Sequence, residues 1–201
     1  YTTNPTYVRI AAQPNTNYSV AYAIVDDISV ANPAVFRTQN FDRWPRQDSY
    51  GSSQFEGWSV WECIVNSDQA YAGQAARARD TVSAGSYILS PRFDDGIGTI
   101  RFLYRKWSES GTPPQYQLQF SPNGVTWTTR DTITMTNWAA YMQYERYFFD
   151  ETNYYIRLFH SAGAKQALFD DIEVDVPTPP ANVSLGLWTD PAAPYSNDWV
   201  Y

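Results

Sequence analysis

Hydrophobic and polar side chains alternate along much of the chain, as they do in half-buried β-strands. Ile100, Phe102 and Tyr104 alternate with Arg101 and Arg105, and a pleated strand points every second side chain to the same face. Similar patterns predict strands at 55–65, 86–91, 100–105, 116–120, 125–135, 141–149, 154–160 and 166–175. The chain is therefore predicted to form an all-β, mostly antiparallel sandwich.

Turn and helix signals agree with this fold class. Asn123-Gly124 predicts a type I′ hairpin between two of the strands, because both residues tolerate a positive φ. Only 66–79 has a helix-forming composition, and Gly73 interrupts it. We therefore expect strands to dominate the domain.

Two segments near opposite ends of the chain are similar to each other. Each is a strand, a loop and a second strand ending in Asp-Asp-Ile-x-Val, at 24–30 in the first copy and 168–174 in the second. Such a repeat predicts that 1–33 is the closing hairpin of a preceding similar jelly-roll repeat, or an orphan strand pair used in assembly. It also predicts that 34–176 is a complete domain.

Proline-containing sequence follows the second copy. Three prolines fall within 177–181, and proline cannot join the ladder of a sheet, so this stretch is predicted to be a linker. Residues 182–201 alternate again and resemble the first strands of the immunoglobulin-like repeats of bacterial surface proteins. We expect this chain to be part of a longer modular protein.

Charge and composition narrow the classes of partner. The chain of 201 residues has a formal net charge of −7 and only 14 Lys plus Arg, which argues against nucleic acid, because that affinity depends on clustered basic residues. No apolar run approaches the length of about 20 residues that a membrane-spanning helix needs, so membrane insertion is not expected. The single cysteine, Cys63, excludes an internal disulfide framework.

Several stretches, taken in order, match a known group of proteins. They are FEGWSV, GSYILSPRF, GTIRFLYRKW, YQLQFSPNGVTWTT, and YYIRLFH before ALFDDIEV. On these stretches, 36–174 resembles the jelly-roll modules of the MAM and bacterial cleaved-adhesin type, which are related to many carbohydrate-binding modules. The cysteines of animal MAM domains are missing, so the bacterial branch fits better. The resemblance implies an antiparallel two-sheet jelly-roll β-sandwich, secreted or displayed on the cell surface, non-catalytic, and often stabilised by calcium. The repeat and the alternating tail add extra terminal β-segments to this expected fold.

Two adjacent carboxylates interrupt the last predicted strand. If the apolar residues of that strand face the core, alternation also points Asp170 inward, where a carboxylate needs a cation, a guanidinium or several N–H donors. In the resembling modules an ion joins the start of the domain to its closing strand. This implies structural calcium held by Asp42 and by Asp170 or Asp171, with Glu56 as a further candidate ligand.

The same carboxylate also has an interpretation without metal. Asp170 would then accept hydrogen bonds from a neighbouring loop, or it would pair with an arginine such as Arg77, Arg79 or Arg157. The sequence leaves both interpretations open.

Exposed aromatic side chains are candidates for glycan binding, because flat rings stack on the apolar faces of sugars. Most of the tryptophans are expected in the core. Trp107 has the opposite parity from the apolar residues of its strand, so we expect it to be exposed, together with Tyr141 or Tyr144. These three residues are the sequence-predicted carbohydrate-binding set.

Recognisable catalytic patterns are missing from the sequence. There is no Glu-x-Asp-x-Glu of the retaining glycosidases, no Gly-x-Ser-x-Gly and no His-Glu-x-x-His. We therefore expect a non-catalytic structural or adhesion module of a multidomain bacterial surface or filament protein, with other copies or neighbouring domains as partners. The alternative is a carbohydrate-binding module attached to a secreted hydrolase, with glycans as partners.

Overall fold

The computed structural model describes residues 37–80 and 85–178, which form eleven β-strands and no helix. The strands are β1 Thr38–Gln39, β2 Gln47–Phe55, β3 Trp58–Asn66, β4 Ala75–Ala78, β5 Tyr87–Leu89, β6 Ile100–Lys106, β7 Gln115–Ser121, β8 Thr128–Thr134, β9 Met142–Arg146, β10 Tyr155–Ala162 and β11 Ala167–Val174. Within these residues, nothing forms a helix long and apolar enough to cross a membrane.

The chain divides after Ala34 into two units, and all described residues belong to the second. The sequence-predicted segments 1–33 and 182–201 lie outside the described residues, as does most of the predicted linker 177–181. The interpretation of all three segments stays a prediction.

A single antiparallel sheet runs through the domain in the order β8-β7-β10-β5-β3-β4-β11-β6-β9, with β1 beside β11 and β2 beside β3. β3 changes partner near its middle: Ser59–Trp61 pair with β5, whereas Cys63–Asn66 pair with β4. Glu62, between the two halves, has a φ of 52°. The sheet therefore curls into two layers, which confirms the predicted antiparallel β-sandwich.

We call β8, β7, β10, β5 and the first half of β3 the first layer. The second half of β3, β4, β11, β6 and β9 form the second layer. Alternate side chains of both layers meet in one apolar core, in which Phe169 packs edge-on against Tyr116 of the first layer and Phe102 of the second. Burying a large apolar side chain contributes roughly 1.5–3 kcal/mol. The remaining side chains of each strand form the outer face of its layer.

A β-bulge in β11 changes the alternation that the sequence suggests. Phe169 and Ile172 both belong to the core, although they have opposite parity. Asp171 has a φ of 47°, and the register of β11 against β6 shifts between Asp170 and Glu173, so one extra residue changes the face. The expectation that Asp170 points between the layers was wrong: it lies on the outer face of the second layer, 1% exposed.

All eight predicted strands overlap observed strands, but β1, β2 and β4 were not predicted. β4 reads Ala-Ala-Arg-Ala and falls inside the stretch of helix-forming composition. It is a strand because it pairs with β3 on one side and β11 on the other. Tertiary pairing here outweighs local propensity.

The predicted hairpin between β7 and β8 is present, but the predicted type I′ turn is wrong, because the loop is longer than two residues and Asn123 does not have a positive φ. Ser121 ends β7 and Thr128 begins β8. The Oδ1 atom of Asn123 accepts hydrogen bonds from Val125 N and Thr126 N, each at 2.9 Å, and Gly124 has a φ of 74°. The side chain of the asparagine, more than its own φ, shapes this loop.

Candidate functional site

The buried carboxylate of Asp170 is capped by the loop between β3 and β4. Its Oδ2 accepts a hydrogen bond from Tyr71 N at 3.3 Å, and its Oδ1 accepts one from Asp171 N at 2.9 Å. Burial raises the pKa of Asp170 to about 7, with a smaller contribution from the charge of Asp171. A hydrogen bond from the neighbouring loop to Asp170, which the metal-free interpretation predicted, is therefore present in the structure.

The arginines considered as partners of Asp170 interact elsewhere. The guanidinium of Arg77 pairs with Asp68 at 3.4 Å, and that of Arg79 pairs with Glu62 at 2.6 Å. Arg157 lies on β10, in the first layer.

Asp42 lies close to the same loop. Its Oδ1 accepts a hydrogen bond from Gln74 N at 3.0 Å, and a Cβ placed on Gly73 would lie 1.7 Å from that oxygen. Burial raises the pKa of Asp171, and the charge of Asp42 adds to this. The loop therefore brings three of the four predicted metal ligands, Asp42, Asp170 and Asp171, into one region.

The fourth predicted ligand, Glu56, is already paired. Its carboxylate lies 2.5 Å from the guanidinium of Arg43, although Glu56 and Asp171 line the same open cleft. Across 37–80 and 85–178, no three His, Cys, Asp or Glu side chains converge on one point as a metal group. Calcium also takes backbone carbonyls and water as ligands, so the calcium prediction now rests on Asp42 with Asp170 or Asp171 and not on a cluster of three carboxylates.

Two of the sequence-predicted aromatic residues lie on the outer face of the second layer, where Arg77 of β4 covers one and the loop after β3 covers the other in part. The guanidinium carbon of Arg77 is 4.0 Å from the centre of the Trp107 ring. The hydroxyl of Tyr141 donates to Gln69 O at 3.0 Å. Trp107 and Tyr141 are half-buried in these contacts, so intramolecular partners occupy part of their surfaces.

The third predicted residue, Tyr144, is not on this face. Its ring stacks on Phe102 with centroids 4.5 Å apart, and its hydroxyl donates to Asp131 Oδ2 at 2.9 Å. Phe102 belongs to the core, and Tyr144 packs against that core. The structure therefore separates Tyr144 from the other two residues.

A row of aromatic side chains crosses the outer face of the first layer. Trp61, Tyr87 and Phe159 are directly paired in the register of β3, β5 and β10. Trp61 is 42% exposed, and its ring is nearly parallel to that of Tyr87, with an interplanar angle of 9° and centroids 6.3 Å apart. The row ends at Gln117 on β7.

Polar groups lie beside this row. The guanidinium of Arg157 is packed between Trp127 and Phe159, and its Nε–H donates to Gln119 Oε1 at 2.5 Å. The Nε2 of Gln119 donates in turn to Gln117 Oε1 at 2.7 Å. We call Trp61, Tyr87, Phe159, Trp127, Arg157, Gln117 and Gln119 together the aromatic face.

Sequence reasoning did not select the aromatic face, although the signal was present. Trp58 and Val60 are core residues, 1% exposed each, so alternation puts Trp61 on the opposite face, as the same argument did for Trp107. What the sequence could not provide is the register that brings Tyr87 and Phe159 beside it.

No protein-family model matches the chain, and no curated protein matches it. Solved structures do match. The K2 cleaved adhesin domain of Lys-gingipain has a TM-score of 0.52 at 13% identity, covering 69% of this chain and 98% of that one. The K1 cleaved adhesin domain of Lys-gingipain from Porphyromonas gingivalis has a TM-score of 0.51 at 13% identity, covering 70% and 98%.

A third similar structure is the CBM22-1 xylan-binding domain from Paenibacillus barcinonensis, with a TM-score of 0.49 at 11% identity, covering 76% of this chain and 100% of that one. The fold assignment rests on the two adhesin domains, whose TM-scores exceed 0.5. The described domain is thus a β-sandwich with the fold of the cleaved adhesin domains, as the sequence resemblance implied.

Proposed function

We propose that this protein is a non-catalytic adhesion module of a larger extracellular protein, and that it binds glycans through the aromatic face. The observation that carries this proposal is the row of Trp61, Tyr87 and Phe159 beside the polar groups of Arg157 and Gln117. Exposed rings next to hydrogen-bonding side chains are the combination that stacks on sugars and holds their hydroxyls.

Burial of the common nucleophiles and bases supports a non-catalytic role. His160 and Cys63 are both 0% exposed, and burial raises the pKa of the Cys63 thiol far above neutrality. A thiol in that state is a poor nucleophile. Neither side chain is placed to meet a substrate at the surface.

A structural calcium ion is a second part of the proposal. Asp42 together with Asp170 or Asp171 would hold it near the loop between β3 and β4, with backbone carbonyls or water completing the shell. The burial of Asp170 and its repulsion by the neighbouring Asp171 favour it, because a divalent cation would offset both. Interaction with other copies or with neighbouring domains, through the terminal segments, stays a prediction.

The glycan proposal is tested on a glycan array with the full chain and two matched tryptophan variants. Trp61→Ala removes the exposed ring of the aromatic face, and Trp107→Ala removes the ring stacked on Arg77. We expect Trp61→Ala to weaken binding by roughly thirtyfold, the loss typical of a central aromatic anchor worth about 2 kcal/mol. Trp107→Ala should bind as the wild type does.

Two outcomes would contradict the proposal. If no glycan on the array binds the wild-type chain, glycan binding is not its function. If Trp107→Ala, and not Trp61→Ala, loses binding, the site is the outer face of the second layer.

A further inference from the structure

Arg157 is held in one orientation on the outer face of the first layer. Its guanidinium carbon lies 4.3 Å from the centre of the Trp127 ring and 4.7 Å from that of Phe159. Its Nε–H is fixed by Gln119 Oε1. A planar cation packed between two rings has already lost most of its freedom, and its two terminal amino groups remain for a ligand.

The charge of Arg157 has no counter-ion within the described part of the chain. Nine of the eleven arginines in 37–80 and 85–178 form an ion pair with Asp or Glu. The other two are Arg105, which donates to Gln69 Oε1, and Arg157. Burial lowers the pKa of Arg157, opposed by Tyr87, but a guanidinium remains charged at any physiological pH.

A half-buried cation that lacks an ionic partner suits an anionic ligand. Guanidinium groups pair best with carboxylates, because two parallel N–H groups match two carboxylate oxygens. The neighbouring aromatic row supplies a stacking surface for a ring. A ligand with both features is a sugar that carries a carboxylate.

We infer that the aromatic face recognises an acidic glycan containing uronic acid, in which Arg157 pairs with a sugar carboxylate and Trp61 stacks on a nearby sugar ring. This inference rests on the proposed glycan binding at the same face, and it adds the class of ligand. Gln117, which accepts from Gln119 through Oε1, keeps its own amide N–H groups for sugar hydroxyls.

The spacing of these groups calls for an oligosaccharide. Trp61 and Arg157 are two strands apart and two residues out of register, which corresponds to about 12 Å between their Cα atoms at ordinary strand spacing. A chain of sugars spans that distance and a single sugar does not. Monosaccharide uronates should therefore bind far more weakly than oligomers.

The test uses calorimetric titration of the full chain with oligosaccharides of galacturonate, glucuronate and mannuronate. Each is compared with the same oligosaccharide after chemical reduction of its carboxylates to alcohols, so that only the charge differs. At least one uronate should bind tenfold or more tightly than its reduced form. Arg157→Gln should abolish that preference, and Arg157→Lys should restore only part of it.

The matched control is Arg77→Gln, which alters the other arginine that stacks on a tryptophan. It should leave the preference for uronate unchanged. Thermal unfolding of each variant checks that Arg157→Gln is folded. If that variant does not fold, the comparison of native and reduced ligands on the wild-type chain still decides the question.

The outcomes separate this inference from the proposed function. If neutral glycans bind and depend on Trp61, while no uronate binds more tightly than its reduced form, the inference is overturned and glycan binding stands. Binding of no glycan at all overturns both. A preference for uronate that persists in Arg157→Gln also overturns the role given to this arginine.

Discussion

The outer faces of the two layers carry similar pairs of groups in different surroundings. Arg77 stacks on Trp107 in the second layer, and Arg157 stacks on Trp127 in the first. Arg77 also pairs with Asp68 in the loop after β3, whereas no described carboxylate pairs with Arg157. Among the described residues, Arg77 therefore has an ionic partner, whereas Arg157 has none and keeps its charge for a ligand.

This difference shows why a stacked arginine and tryptophan do not by themselves define a binding site. The loop between β3 and β4 supplies an acceptor to Arg105, a carbonyl to Tyr141 and backbone N–H to Asp170. Each of these contacts occupies a polar side chain of the second layer that could otherwise hydrogen-bond to a ligand. Within 37–80 and 85–178, contacts with the chain itself distinguish the two faces more sharply than their composition does.

The largest expected effect concerns pH and the buried carboxylate of the second layer. Asp170 keeps a proton up to about pH 7 in the folded protein, whereas the unfolded chain releases it near 3.8. Between these values the folded state binds more protons, so the free energy of unfolding falls as pH rises from about 4 to about 7 and then levels off. Asp171, with its pKa also raised, adds to this fall.

Urea unfolding in a chelator, from pH 4 to pH 8, measures this effect. Asp170→Asn should flatten most of the fall, because the amide keeps an acceptor for the loop but does not ionise. A wild-type chain whose stability rises over this range would contradict the raised pKa. The aromatic face contains no carboxylate among the described residues, so Arg157→Gln should leave the pH profile unchanged.

The next largest expected effect is the increase in the free energy of unfolding when calcium binds. If the ion binds at Asp42 together with Asp170 or Asp171, adding it at a hundredfold excess over its Kd should stabilise the chain by about 2.7 kcal/mol. The stabilisation should grow with pH, because the ion binds the ionised carboxylates. An unchanged melting temperature with and without chelator at pH 7.5 would remove calcium from the proposal, and Glu56→Gln should not alter the response.

Replacing a glycine in the loop between β3 and β4 should have a smaller effect on the free energy of unfolding. Gly73 and Gly124 both have positive φ, 53° and 74°, so alanine should cost about 1 kcal/mol at either position. At Gly73 the new Cβ also displaces the Asp42 carboxylate, whereas at Gly124 the nearest atom is 3.6 Å away. We expect Gly73→Ala to cost about 1 kcal/mol more, the value of the lost hydrogen bond to Gln74 N.

Chemical denaturation of the two alanine variants measures this difference. Equal destabilisation would mean that Asp42 moves aside without loss, and its hydrogen bond would then contribute nothing to the loop. Gly73→Ala should leave glycan binding intact, because the aromatic face lies on the other layer.

The smallest expected effect comes from freeing the arginine of the second layer. Asp68→Asn removes the ion partner of Arg77, whose contribution to stability is at most about 1 kcal/mol for a partly exposed pair. Arg77 would then resemble Arg157, so weak binding of uronate oligosaccharides should appear, sensitive to Trp107→Ala. If no such binding appears, the remaining contacts of the loop are enough to prevent a ligand from binding to the outer face of the second layer.

Much of the domain could be predicted from sequence, because strands that bury one face show it by alternation. The strand around Phe102 was identified in this way, and the hairpin around Asn123 was identified from its Asn-Gly turn signal. The prediction for Asp170 failed because a bulge at Asp171 changes the face without any change in composition. β4 was missed because alanine has no strand preference, and pairing with β3 and β11 decides its conformation.

The sequence by itself determined the fold class, the positions of most strands and the presence of carboxylates near the closing strand, because these depend on local pattern. Only the tertiary structure decided which face is open. Trp61, Tyr87 and Arg157 come from three strands far apart in the chain, and only the register of those strands makes them neighbours. Likewise, only the folded chain places the loop after β3 against Tyr141 and Asp170 and Arg77 of β4 on Trp107, and no local pattern encodes where a loop comes to lie.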